Sequence, residues 1–112
     1  MLIVGVKDLE TYVYTLDEVE NKYKLSQKLI HDTIDERETD TTEDNTFLVV
    51  TSKEERSLYI YENNGSEFEE SQKITENSSK LTSGTVSADG NYIVTGDEEG
   101  KVKLYSSNGQ SY

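Results

Sequence analysis

The chain reads as an all-β protein assembled from a repeated antiparallel unit of four strands. Three observations predict that class: short apolar runs of strand length, Asn- and Gly-bearing turns between them, and agreement of separate segments on one repeat period. Helical spacing is not sustained anywhere along the 112 residues. No proline is present to bar any run from a central strand.

The repeat is visible by direct superposition. Leu2-Ile3-Val4 lies over Phe47-Leu48-Val49 and over Tyr92-Ile93-Val94, each shift being 45 residues. Tyr12-Val13-Tyr14 lies over Tyr59-Ile60-Tyr61 at a shift of 47, and that segment over Lys103-Leu104-Tyr105 at 44. Tyr23 opens YKLSQKLI and Phe68 opens FEESQKIT, again 45 apart, so Ser26-Gln27-Lys28-Leu29 matches Ser71-Gln72-Lys73-Ile74. Three segments therefore share one period, and chance is a poor account of it.

Each segment has its own reason to be a strand. LIVGV, FLVVT and YIVTG are nearly continuous apolar runs, as a strand covered on both faces requires. LYIY and VKLY follow after the polar stretches KEERS and DEEGK, which reads as a hairpin. Asn63-Asn64-Gly65 and Asn108-Gly109 supply a second tight turn, since Asn-Gly accepts the positive φ such turns need. Ala88-Asp89-Gly90-Asn91 forms a further turn before Tyr92, preceded by a strand from Gly84 to Ser87. The turn glycines are thus Gly65, Gly90, Gly100 and Gly109.

Four strands in about 45 residues is the size of one propeller blade. With strands named a to d outward from the axis, residues 1–33 form an incomplete blade with strands b-c-d. Residues 34–78 form a complete blade, and residues 79–112 an incomplete one with a-b-c. The expected fold is a partial β-propeller of four-stranded antiparallel blades.

Residues 87–105, SADGNYIVTGDEEGKVKLY, resemble the core of a WD repeat. Ser87-Ala88-Asp89-Gly90 sits where that family carries its turn before the second strand. Thr95-Gly96 and Glu99-Gly100 flank the next hairpin, and Tyr105 takes the place of the Trp of the Trp-Asp pair. The chain departs from the family at several positions. It has no Trp, Ser106 stands in place of the Asp, Ile30 precedes His31 where Gly-His would stand, and Glu99 replaces the usual turn Asp. The resemblance implies a WD-repeat-like β-propeller that lacks the family's buried hydrogen-bond tetrad, and a role in binding other proteins.

Composition narrows the function classes. Net charge is −12 with a pI near 4.4. That balance opposes nucleic acid and anionic membranes, which need basic patches, and it permits a basic protein partner. The hydrophobic fraction of 32 % is low, but its clustering and eight tyrosines favour folding over disorder. Without cysteine there is neither a disulfide framework nor a thiolate metal site. MLIVGV is too short for a signal-peptide core or a membrane span, and the two glycosylation sequons at Asn64 and Asn77 then read as coincidental. A cytoplasmic protein is expected.

No residue set points to catalysis. His31 is the single histidine, and no second catalytic group is tied to it by spacing; its match in the next repeat is Glu76. The acidic run Asp35, Glu36, Glu38, Asp40, Glu43 and Asp44 has no glycine for a calcium loop and reads as solvated. Asp97-Glu98-Glu99-Gly100 is a hairpin turn. Neither a phosphate-cradling glycine loop nor a paired metal-ligand motif occurs, so no catalytic, cofactor or metal residue is assigned and no small-molecule substrate is expected. The recurrent Tyr14, Tyr61 and Tyr105, with Leu29 and Ile74, are structural repeat positions. Tyr12 and Tyr59 are expected on the opposite face of their strands. The expected function is a protein–protein interaction scaffold, part of a larger propeller or assembly, whose partners are basic surfaces or further propeller blades. The alternative is a structural subunit packed permanently in a large complex.

Overall fold

The computed structural model describes residues 2–7, 10–30, 37–65, 67–75, 79–109 and 111–112. His31, Asp35, Glu36, Glu76 and Asn77 lie outside the described residues. The chain divides into two compact units, Met1–Ile34 and Asp35–Tyr112.

The first unit is one antiparallel sheet of β1 (Leu2–Lys7), β2 (Glu10–Asp17) and β3 (Lys22–Ile30), in that order. On β2 the side chains alternate: Thr11 and Val13 are buried, while Tyr12, Tyr14 and Leu16 on the other face are half-buried. Leu29 joins the buried set through its pairing with Thr11.

The second unit holds two antiparallel sheets. One is β4 (Arg37–Thr41), β5 (Phe47–Ser52), β6 (Ser57–Asn63) and β7 (Phe68–Ile74), adjacent in chain order. The other is β8 (Leu81–Val86), β9 (Tyr92–Asp97) and β10 (Val102–Ser106), with β9 in the middle. The described residues form an all-β protein, its described strands all paired antiparallel.

The core of the second unit lies between its two sheets. Val49, Leu58, Ile60 and Ile74 from the four-stranded sheet meet Val86 and Ile93, with Phe47, Tyr105 and Tyr112 packed against them. Burying each such aliphatic side chain stabilises by about 1.5–3 kcal/mol. On β5 and β6 every residue from Leu48 to Ser52 and from Ser57 to Tyr61 is buried, so both faces of these central strands are covered. That is why their sequences are continuous apolar runs.

One expectation is corrected here. Tyr59 and Tyr61 do not take opposite faces of β6. They lie two residues apart, and strand side chains alternate with period two, so both rings share one face. Their centroids are 6.4 Å apart and their planes differ by 20°. Tyr12 and Tyr14 share a face of β2 for the same reason.

The turns repeat in conformation as well as in sequence. Among the described residues, those with positive φ are Asn21, Asn45, Arg56, Gly65, Gly90, Gly100 and Gly109. They fall at matched turns: Asn45 with Gly90, Arg56 with Gly100, and Asn21 with Gly65 and Gly109. Arg56, at φ 55, is a long side chain in a conformation that disfavours a Cβ. Relief of that strain, about 1–2 kcal/mol, exceeds the cost of about 0.4–1 kcal/mol for the freer unfolded chain. Arg56→Gly is therefore expected to raise unfolding stability by up to about 1 kcal/mol, read from urea midpoints. A lower midpoint would show that the arginine side chain compensates for its backbone.

A second repeated device explains the Ser-Gln-Lys match. Ser26 is an extra residue in β3 where the β2 register shifts between Val13 and Tyr14, and Ser71 is an extra residue in β7 between Ile60 and Tyr61. Each serine hydroxyl donates to the carbonyl just before the shift, Ser26 to Val13 at 3.1 Å and Ser71 to Ile60 at 3.2 Å. The bulge is therefore held by the residue that causes it.

Candidate interaction surface

Four local arrangements shape the surface of the described residues. The first is the turn between strands a and b. Thr42 donates its hydroxyl to Asp44 at 2.8 Å, and the same carboxylate accepts the Thr46 N–H at 3.0 Å. Forty-five residues on, Ser87 donates to Asp89 at 2.7 Å, and Asp89 accepts the Asn91 N–H at 3.0 Å. The Phe47 and Tyr92 N–H groups close the two turns onto Thr42 and Ser87. Sequence reading saw only Ala88 to Asn91 as a turn. Laying Thr42–Phe47 over Ser87–Tyr92 at the known shift would have revealed the pair.

These hydrogen bonds favour the ionised carboxylate. The Thr46 backbone N–H holds Asp44 below its usual range, and the Asn91 N–H does the same for Asp89. Asp97 is lowered chiefly by the Lys101 N–H, which it accepts at 3.0 Å together with that of Glu99. A depressed carboxyl contributes stability that is present above its unfolded pKa of about 3.9 and is lost as pH falls through the folded value. Thermal midpoints are therefore expected to decline below about pH 4. Asp89→Asn should flatten that decline; an unchanged acid limb would remove Asp89 from the account.

The second arrangement joins the two sheets of the second unit. Asp40 on β4 accepts the Thr85 hydroxyl at 2.7 Å and the Val86 N–H at 2.9 Å, and its other oxygen accepts the Thr41 N–H at 3.0 Å. Its carboxylate thus satisfies a donor on β8. Lys53 pairs with Glu98 at 3.3 Å and Lys80 with Glu54 at 3.1 Å across the same two sheets. Each pair joins a half-buried lysine to an exposed glutamate and contributes little individually.

The third arrangement is the seat of Tyr112. Gln72 donates its amide N–H to the Tyr112 carbonyl and accepts the Tyr112 N–H, both at 2.9 Å, so the side chain acts as a backbone partner. The Tyr112 hydroxyl donates to the Gly90 carbonyl, and its ring meets Phe47 edge-on with centroids 6.3 Å apart. Burial, followed by the Asp89 charge, raises the Tyr112 phenol above its ordinary value. Beside it lies a shallow, open groove of about 300 Å³, lined in part by Glu62, Ser71 and Gln72.

The fourth is the outer face of the β8–β10 sheet. Tyr92, Val94, Val102 and Leu104 share this face, because Leu104 pairs with Val94 and β10 alternates. Val102 is 74 % exposed, Leu104 65 % and Tyr92 49 %. Their repeat matches on the preceding sheet are Leu58, Ile60 and Phe47, of which Leu58 is 0 % and Ile60 1 % exposed.

The assigned repeat positions are placed as follows. Tyr61, Leu29 and Ile74 are buried, Tyr14 and Tyr105 are half-buried, and Tyr105 packs on the core cluster. Gly65, Gly90, Gly100 and Gly109 all have positive φ at their turns. Lys28 sits 5.8 Å from the Tyr12 ring and Lys73 4.9 Å from the Tyr59 ring, a cation–ring pair at matched positions that sequence reading missed. Of the acidic run, Asp40 and Asp44 are engaged within the protein's own turns and strands, and Glu43 is exposed. Among the described residues no group of three or more His, Asp or Glu is placed to hold a metal ion.

No family model matches the chain, and no curated protein matches it. Among solved structures, TolB from Acinetobacter baumannii, a β-propeller-containing protein, is similar to this chain. The likeness covers 95 % of this chain at 20 % identity with a TM-score of 0.50. The chain spans 29 % of the length of that structure. The likeness shows the fold, a partial β-propeller of antiparallel blades.

Proposed function

We propose that this chain is a protein–protein interaction module, built from WD-repeat-like blades, that forms part of a larger propeller or assembly and acts by binding, not catalysis. The observation that carries the reading is the outer face of β8–β10. Val102 and Leu104 stand exposed there, at the positions where the preceding sheet buries Leu58 and Ile60. Contiguous exposed apolar surface on a folded sheet marks a place where another protein sits. The WD-like character is supported by the Ser87-Asp89-Asn91 turn and by Gly100 in the following hairpin, which occupy the places where that family carries its own turns. The net charge of −12 adds a long-range attraction for basic partners.

A second reading, a structural subunit held permanently in a complex, is favoured by the same exposed face, because such a face is costly to leave in water. One experiment separates them. A photoreactive residue at position 104 is used to crosslink the chain in cells that make it, with position 99 as the exposed control. A discrete protein adduct from 104 that is lost in Val102→Lys supports the module, provided the complex is reversible on purification. A partner that stays bound to the uncrosslinked chain through purification and does not exchange favours the subunit. Absence of any adduct above the control overturns both.

A further inference from the structure

We infer that the outer face of β8–β10 docks a second copy of this chain, whose β1–β3 sheet covers it as β8–β10 covers β4–β7. The inference rests on the reading of the chain as a binding module and names its partner. The internal repeat supplies the argument, because the structure already contains one instance of this contact, between β4–β7 and β8–β10.

Phe47, Val49, Leu58 and Ile60 precede Tyr92, Val94, Val102 and Leu104 by 45, 45, 44 and 44 residues. The first set is covered by Val86, Ile93, Tyr105 and Tyr112 from the opposite face of the next sheet. The cover that fits this kind of face is therefore the aromatic side of a blade of the same repeat.

The first unit carries such a side. Tyr14 holds the position of Tyr105 and Tyr23 that of Tyr112. Tyr14 pairs with Leu25 and Leu16 with Tyr23, which puts all four on one face of the sheet. Tyr23 and Leu25 are exposed on that face, at 38 % and 46 %. Phe68, the match of Tyr23 in the complete blade, is buried. One chain thus presents one uncovered face of each sense, a face that expects a cover and a face able to provide it. Two different patches meeting in this way make a heterologous, head-to-tail contact.

The charge balance gives this contact a signature. Two chains of −12 each repel at long range, and salt screens that repulsion while leaving apolar burial intact. Self-association therefore strengthens with added sodium chloride. Binding to a basic partner weakens under the same change.

The test is light scattering and sedimentation velocity on three purified chains: the unaltered protein, Leu104→Lys and Leu25→Lys. Both substitutions are at exposed positions, and circular dichroism checks that each variant keeps the β spectrum. The unaltered chain is expected to grow in mass with concentration and with salt. Each variant alone is expected to remain a monomer, since each keeps one functional face. Mixed together they are expected to give a one-to-one dimer, because Leu104→Lys still offers its β1–β3 sheet and Leu25→Lys still offers its β8–β10 face. Should Leu104→Lys fail to fold, Val102→Lys serves in its place. A monomeric unaltered chain overturns the inference, as do variants that assemble like it or a mixture that stays monomeric. In that case an adduct from position 104 to a different protein would leave the binding-module reading standing, and only the identity of the partner would fall.

Discussion

Gly84→Ala is expected to be among the most damaging single substitutions in the second unit, for want of space. A Cβ at Gly84 would lie 2.1 Å from Thr51 Cγ2, 3.5 Å from Thr51 Cβ and 3.7 Å from Leu58 Cδ1. Thr51 cannot easily give way: it is buried, β-branched and set in β5, which is paired on both sides. Overpacking of this kind costs about 1–3 kcal/mol, and the short distance puts Gly84→Ala at the upper end. Urea unfolding measures the loss. Thr51→Ser removes the obstructing methyl while keeping the hydroxyl, so the double variant is expected to regain most of the stability. A coupling energy near zero in that cycle would mean the sheets already stand far enough apart for a side chain.

Ile60→Ala and Leu104→Ala test the other large effect, each removing a branched aliphatic side chain from one of the two sheets. The two residues hold the same repeat position, yet Ile60 is 1 % exposed and Leu104 is 65 % exposed. Truncating Ile60 removes its burial and leaves a void between the two sheets, a loss of about 2–5 kcal/mol. Against a domain stability of about 5–15 kcal/mol that is a large share. Truncating Leu104 in the dilute chain is expected to change stability by no more than about 0.5 kcal/mol. Thermal and urea unfolding at low concentration read both. Similar losses at the two positions would show that the face bearing Leu104 is covered after all.

The sequence makes strands b and c readable because they are buried on both faces, and burial writes itself as continuous apolar runs such as FLVV and LYIY. Strand a is different. Arg37–Thr41 reads RETDT, without one apolar residue, and forms a strand through its ladder to β5 and through the Asp40 carboxylate on Thr85 and Val86. Those partners are about forty-five residues away, and no local pattern announces them. Arg56 hides its left-handed turn for a similar reason, since arginine carries no preference for that conformation and only its match to Gly100 reveals the need. Tyr112 looks like any closing residue until Gln72 is seen to hold its backbone. Of the candidate surface, the apolar residues were legible as strand residues. Which side of the sheet is covered was not, because that depends on the neighbouring sheet and not on the strand.

The bulged serines carry a further consequence, and it concerns fidelity. Ser26 and Ser71 lock their hairpins against a one-residue slip, which would turn every side chain of the outer strand to the wrong face. Yet the lock is cut to the same pattern twice, Ser-Gln-Lys in β3 and in β7, so it cannot tell β2 from β6 as a mate. Discrimination falls to the flanking residues, where Leu25 in one strand is answered by Glu70 in the other. A concentrated refolding mixture of this chain therefore faces traps in which one molecule lends its outer strand to another's hairpin. Sameness between repeats, which makes the architecture easy to extend, is paid in mispairing on the way to the native state.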